Sequence, residues 1–416
     1  MKIIVWGNNY YPEPTGIGPA NTDLCAFLVE HGHEVTMLSA FPYFPQWRKR
    51  EDDLGKLYER EQLQGVALCR CWQYVPAEPT ALKLWLHELS FVATSTLRAL
   101  AMARADVYIV VSPSLFLGLG ATLVRWLRWR KFVFHVQDLQ PDAALGRGMV
   151  KPGLALYALS MLEKWSYARA ALVSGVSPSM MAAFRKKGVR EKKIYLLPNW
   201  IPDGDATEGA ESLVSFRETY GIAPETLLVA YSGALGLDQG LKVIVEAAGL
   251  AETLAGTNLP RIHWALCGES AASPGLLEII ARTGGVSVHL YPIQSDNLQQ
   301  SLLREADVCL LPQQKGSGQF LLPDKMLSIL QLGRAVLAVA DESSELARAV
   351  GEGGFGLVVP PGNAQALCQA AQKMAVAERG QRRQWSANGL AWVDQFRRSR
   401  VLEGFEQRLK DLAKRS

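Results

Sequence analysis

The sequence holds no apolar run long enough to cross a bilayer. Its longest, residues 115–124, ends at Arg125 after ten residues, where a spanning helix needs about 20. The apolar run at the N-terminus stops at Asn8, too soon for the core of a secretory signal, so residues 2–7 read as a first strand. Cys-x-x-Cys pairs are absent, which removes the usual zinc and redox signatures; Cys25, Cys69, Cys71, Cys267, Cys309 and Cys368 are expected to be buried, reduced thiols of a cytosolic chain. Neither sign of charge dominates. The 44 Lys and Arg against 40 Asp and Glu leave a net +4, which excludes a general nucleic-acid binder but permits a local basic patch. With 49% hydrophobic and 20% charged residues the composition also excludes disorder.

What the sequence does have is length and a repeating order of elements. A chain of 416 residues exceeds one ordinary core of about 100–200 residues, so two domains are expected. Short β-rich runs at 2–7, 34–40, 107–112 and 132–136 alternate with helical patterns at 22–31 and 115–129, the signature of βαβ units and a parallel sheet covered on both faces. After a strand at 194–197, Pro198, Pro202, Gly204, Asp205 and Gly209 cluster as a linker. A second series of strands follows at 227–232, 262–267, 286–291, 308–311, 335–339 and 356–359. The expected division is therefore 1–200, 201–385, and a tail 386–416. Trp392, Val393, Phe396, Leu402, Phe405 and Leu409 recur in that tail at roughly helical spacing, so an amphipathic helix is expected to cross back onto the first domain.

In open α/β sheets ligands gather at the carboxyl ends of the strands, which singles out four turns. Thr15-Gly16-Ile17-Gly18 follows the first strand; its glycines either admit a ligand to the backbone or serve turn geometry alone, and Asn21 breaks the GxGxxG pattern. Residues 231–240, Tyr-Ser-Gly-Ala-Leu-Gly-Leu-Asp-Gln-Gly, lie between strand and helix and suit a diphosphate, though no Gly-Lys-Ser/Thr closes the turn as in a triphosphatase. Residues 315–325, Lys-Gly-Ser-Gly-Gln-Phe-Leu-Leu-Pro-Asp-Lys, place a lysine at each end of a glycine loop; these are either solvated surface lysines or two cations for a departing diphosphate. Finally His135, Asp138 and Asp142 sit at a strand exit, where an imidazole and carboxylates could serve hydrogen bonding or proton transfer.

Taken in order, GNNYYPEPTGIGPANTDLCAFLVEHGHEVTMLSAFPYFPQW, HVQDLQPDAALG, LLPNWI, YSGALGLDQGL and LLPDKMLSIL resemble the colanic-acid-type members of the family-4 glycosyltransferases, from residue 1 to about 370. The resemblance implies a GT-B fold of two Rossmann-like domains facing across a cleft. It also implies a nucleoside-diphosphate sugar held by the C-terminal domain, an acceptor held by the N-terminal one, and retention of configuration with no metal and no cofactor. By position, Gly16 and Gly18 would border the donor diphosphate, His135 would contact the donor sugar and Asp138 would face the acceptor. Gly233, Gly236 and Gln239 would line the phosphate turn, with Lys315 and Lys325 neutralising it.

Two departures qualify the match. Many relatives carry two glutamates eight residues apart, where this chain has Phe320 and Ser328, so Gln319 or Asp324 would take over sugar contacts. Many also carry a basic residue where this chain has Leu237, which shifts the phosphate load to Lys315 and Lys325. The function expected is transfer of a hexose from UDP or GDP to a lipid-linked saccharide in surface or exopolysaccharide synthesis. A nucleotide-sugar 2-epimerase and a non-catalytic sugar-nucleotide binder are the competing readings. Three Arg, one Lys and two Trp within residues 123–132 point to the surface of an anionic membrane, against the alternative of tryptophans packed on the sheet.

Overall fold

The computed structural model describes all residues but 15, 79, 113, 140–152, 205–212, 237–238, 254–259, 269–273, 283–286, 293–295, 317, 321 and 415–416. The chain divides into two compact units, one of Met1–Asn199 with Ser399–Ser416, the other of Trp200–Arg398.

In the first unit, β1 (Lys2–Trp6), β2 (Glu34–Ala40), β3 (Tyr58–Leu63), β4 (Val66–Cys71), β5 (Val107–Val111), β6 (Lys131–Val136), β7 (Leu172–Gly175) and β8 (Ile194–Leu196) form one sheet in the order β3-β4-β2-β1-β5-β6-β7-β8. Every pairing is parallel except β3 with β4. Ile3, Ile4, Val5 and Trp6 are all at most 4% exposed, because a parallel strand covered by helices on both faces cannot afford the polar alternation of a half-exposed one. Strands β3, β4 and β7 were not foreseen. The edge strand β3 reads YEREQL, and its charges, which guard an unpaired edge, also hide it from an apolar pattern.

The second unit adds β9 (Leu227–Ser232), β10 (Ile262–Gly268), β11 (Val288–Pro292), β12 (Val308–Pro312), β13 (Ala335–Val339) and β14 (Gly356–Val359). They form a wholly parallel sheet in the order β11-β10-β9-β12-β13-β14. Successive residues of β9 face opposite ways. Leu228 and Ala230 join one core with Phe216 and Met326, while Val229 and Tyr231 join another with Trp264 and Leu367. The six cysteines are free and buried, and no helix among the described residues is long and apolar enough to cross a membrane.

The expected tail helix is broken. Arg379–Val393 is one helix, Asp394–Phe396 a 3-10 turn, and Arg398–Lys414 a second helix. The break falls where Ile201 N–H donates to the Phe396 carbonyl (2.9 Å) and Arg398 N–H to the Ile201 carbonyl (2.8 Å), an isolated parallel bridge that requires extended backbone. The chain therefore rejoins the first unit at Ser399, later than residue 386. Its last helix is fixed there by His33 Nε2 to Glu406 Oε1 (2.7 Å) and Lys131 Nζ to the Leu412 carbonyl (3.2 Å), while Lys410 Nζ of the same helix also reaches Glu406 Oε1 (2.6 Å). Burial pushes the Glu406 carboxyl up, but the hydrogen bonds from Lys410 and His33 outweigh it and hold the group below the ordinary carboxylate range. Its stabilisation is thus complete above that range and lost as pH falls through the depressed value. Glu406→Ala is expected to cost about 1–3 kcal/mol and to flatten the acid limb of stability against pH, read from urea unfolding at several pH values. An unchanged acid limb would remove this clasp from the account.

Candidate active site

In the second unit the sequence turns sharply after β9. Gly233 N–H donates to the Cys267 carbonyl (2.8 Å), and Tyr231 Oη donates to the Ala234 carbonyl (2.9 Å). Lys325, in the first turn of helix Asp324–Gln331, donates from Nζ to the Ser232 carbonyl (3.0 Å). A Cβ on residue 233 would lie 2.6 Å from that ammonium and 2.7 Å from Tyr231 Oη, so glycine is what lets the lysine lie across the turn. Gln299 Nε2 donates to Ser232 Oγ (2.6 Å), and Gln239 N–H closes the turn onto the Gly236 carbonyl (3.1 Å). Leu237 and Asp238 lie outside the described residues.

The loop after β12 stands against this turn: a Cβ on Gly240 (φ +75°) would meet the backbone of Gln313 at 3.7 Å. Gln313 Oε1 is buried with no hydrogen-bond partner among the described residues, and its side chain lies so close to Gly318 that a Cβ there would be 2.1 Å from Oε1. A buried carbonyl oxygen without a donor costs free energy until a ligand supplies one. Lys315 is exposed, one residue before Gly316, whose N–H donates to Asp341 Oδ2 (2.6 Å). Gln319, Asp324 and Ser328 are exposed as well, and Ser317 lies outside the described residues. The structure thus brings Lys325 onto the glycine turn and leaves Lys315 out on its loop.

In the first unit Gly16 has φ +69°, a conformation other residues rarely adopt, and Gly18 opens helix Gly18–Glu30. A Cβ on Gly18 would be 3.0 Å from the Glu13 carbonyl oxygen. Thr15 lies outside the described residues. The sequence reading missed Glu13, which is buried and ties the loops together: Oε1 accepts from Tyr43 N–H and Phe44 N–H (3.0 Å each), Oε2 from Asn9 Nδ2 (2.7 Å). It also missed Asn8, at the end of β1, whose buried Oδ1 has no partner among the described residues. The only signal was position, a carboxylate between Pro12 and Pro14 and an amide at a strand exit.

His135 and Asp138 take different places. Asp138 is exposed and Asp142 lies outside the described residues, while His135 is 3% exposed. Gln137 Nε2 stands 2.8 Å from His135 Nε2 and can only donate, so the imidazole carries its proton on Nδ1 and gives it to Ser174 Oγ (3.0 Å). Desolvation lowers its pKa to about 4. The chain's one Asp-x-Asp triplet, residues 203–205, follows the linker strand; Arg397 Nη1 takes the Asp203 and Gly204 carbonyls (2.9 and 2.7 Å), and Asp205 is outside the described residues. Among the described residues no three His, Cys, Asp or Glu side chains cluster in a way that could hold a metal ion.

Residues 15–200 match the family described as glycosyl transferase 4-like domain. A protein of Escherichia coli (strain K12), named as a colanic acid biosynthesis glycosyl transferase, WcaI, is 32% identical over 352 residues, 83% of this chain and 85% of that one. The chain belongs to the family-4 glycosyltransferases. Its two parallel-sheet units give it the GT-B fold, shared with two solved structures. Sucrose-phosphate synthase of Thermosynechococcus elongatus aligns over the whole of both chains (TM-score 0.72, 18% identity). HepE of Anabaena, solved with UDP and glucose, aligns over 99% of this chain and 100% of its own (TM-score 0.67, 15% identity).

For this glycosyltransferase, a neutral His135 has a measurable consequence. Its contribution to stability is complete above pH 6.5, the unperturbed value, and is lost as pH falls from there towards 4, because the unfolded state binds the proton first. An NMR titration of the imidazole should find its midpoint near 4, well below the unperturbed value of 6.5. A midpoint near 6.5 would contradict the buried, doubly bonded ring.

Proposed function

We propose that this glycosyltransferase moves a hexose from UDP or GDP to a lipid-linked saccharide at the cytoplasmic face of the membrane, in surface or exopolysaccharide synthesis, with retention of configuration and without a metal. The observation that carries the donor half is the Lys325 ammonium laid across the Gly233 turn at the carboxyl end of β9. When the bond between sugar and diphosphate breaks, charge develops on the departing phosphate oxygens, and a cation already held at the turn stabilises it without reorganisation. Lys315 and the Gly236 amide complete the anion site on a turn whose shape is held by the Gly233 and Gln239 N–H bonds to the Cys267 and Gly236 carbonyls, and Gln313 Oε1 is an acceptor for a sugar hydroxyl. The name of the Escherichia coli relative favours an exopolysaccharide, and the UDP and glucose in HepE favour a UDP-sugar.

On the acceptor side, Asp138 is a solvent-facing carboxylate at the exit of β6, placed to orient or deprotonate an acceptor hydroxyl. The buried His135 then serves by orienting Gln137 and the β6 turn, with Gly16 and Gly18 shaping the loop beside β1. The lipid half rests on a surface. Three helices that pack together each leave an apolar stripe in solvent at helical spacing: Leu82, Trp85, Leu86 and Leu89 on Ala81–Ala101; Leu119, Leu123 and Trp126 on Leu117–Arg128; Tyr157, Met161 and Trp165 on Leu154–Arg169. Trp126 is 75% and Trp129 87% exposed, so they do not pack on the sheet. Arg128, Arg130, Lys164 and Arg169 stand among them, whereas Arg125 and Lys131 are partly taken by the Arg169 and Leu412 carbonyls. Exposed tryptophans ringed by cations match the interface of an anionic bilayer.

Three outcomes are expected. Lys325→Ala should lower turnover by roughly 10²–10³ with little change in stability, and Gly233→Ala, by driving the ammonium off the Ser232 carbonyl, should fall towards it; near-wild-type turnover in both would remove the turn from the chemistry. Asp138→Asn should keep donor affinity while transfer drops, and equal loss of the two would move Asp138 to the donor side. Trp126→Gln with Trp129→Gln, or Arg128→Gln with Arg130→Gln, should reduce salt-sensitive sedimentation with phosphatidylglycerol vesicles. If both pairs sediment like the wild type at low salt, the membrane does not meet this face.

A further inference from the structure

The second unit has a cavity of about 220 Å³ at the amino ends of β9, β12 and β13, the opposite end of the sheet from the Gly233 turn. The six residues of β9 separate the two places by about 20 Å. Its wall is strongly basic: Arg334 enters from the start of β13, and Arg379, Arg382 and Arg383 come from the first turns of helix Arg379–Val393, with Trp385 as an apolar side. The carboxylate in the wall, Asp307, is already neutralised, its Oδ2 accepting from Arg217 Nη2 (2.7 Å) and Leu228 N–H (2.8 Å).

The four guanidiniums divide into two held and two waiting. Arg334 donates to the Leu332 and Ala306 carbonyls (2.9 and 3.3 Å) and Arg382 to the Ala375 carbonyl (2.6 Å), which fixes them in the wall. Arg379 and Arg383 make no hydrogen bond or ion pair with any described residue. The helix itself has no acidic residue in its first turn, and its N-cap, Glu378, makes no capping hydrogen bond with its side chain. Four like charges around one hollow repel one another, and an anion relieves that repulsion. Guanidinium forks match phosphate oxygens two at a time, and the hollow is roomier than a single ion needs.

We propose that this cavity binds a phosphorylated small molecule, with its phosphoryl group on Arg379 and Arg383, at a site separate from the sugar-nucleotide turn. The proposal does not rest on the donor reading above. Its test uses the full chain carrying Lys315→Ala and Lys325→Ala, so that the turn no longer contributes, and titrates inorganic pyrophosphate by calorimetry against sodium chloride of equal ionic strength. One saturable site per chain is expected, weakened at least tenfold by adding Arg379→Gln and Arg383→Gln. Those side chains are exposed, so the unliganded melting temperature should hold and serve as the control for folding. Pyrophosphate binding no stronger than the salt control, or binding unaffected by the two glutamines, would overturn the proposal. So would binding through these arginines to anionic vesicles alone, which would make the hollow a headgroup contact.

Discussion

Both sheets of this enzyme are parallel nearly throughout, and that constraint governs the rest. A parallel strand must be followed by a crossover, so each strand delivers its last residues to the same edge of the sheet and each crossover returns along a face. The strands are consequently buried on both sides and written in Val, Ile, Leu and Ala, leaving the polar residues of function to the turns. Asn8, Gln137, Gly233 and Gln313 each stand just beyond the end of a strand, on β1, β6, β9 and β12. These candidate site residues share one edge in each unit because every parallel strand ends there.

Within that frame, glycine acts by exclusion as much as by flexibility. Residue 233 is glycine so that an ammonium can lie across it, residue 318 so that the Gln313 amide can, and residue 268 so that Leu235 can pack 2.3 Å from where a Cβ would stand. In each case another residue's side chain fills the place of the missing methyl. The same packing brings a positive charge to the turn, since the Lys325 ammonium donates to the Ser232 carbonyl.

The parts of this structure most visible in the sequence were those with a single physical cause. Strands buried on both faces are largely apolar runs, and 34–40, 227–232 and 335–339 lie where those runs lie, as does the partly exposed edge strand 356–359. The charged edge strand β3 was hidden because its residues answer to solvent on one side. The tail was read as one helix because its apolar spacing continues across Asp394–Phe396, whereas the break is imposed by Ile201, almost two hundred residues away in sequence. At the site, Lys325 and Gly233 were legible as residues, but the contact between them was not. The burial of His135 was equally out of reach, since it depends on Ser174 and Gln137 closing both ring nitrogens. Glu13 carries no motif at all; its role is set by two backbone amides of residues 43 and 44.

The first unit is not continuous in sequence, since residues 399–416 complete it. During synthesis its first 199 residues leave the ribosome long before the helix that covers His33, while the second unit is whole as soon as Arg398 emerges. Domains fold as units while the chain grows. The second unit can therefore be native while the first still waits for its final helix. Closing that gap brings together residues 373 positions apart, the slow, non-local kind of contact that sets a folding rate. The half whose synthesis begins first is thus the half completed last.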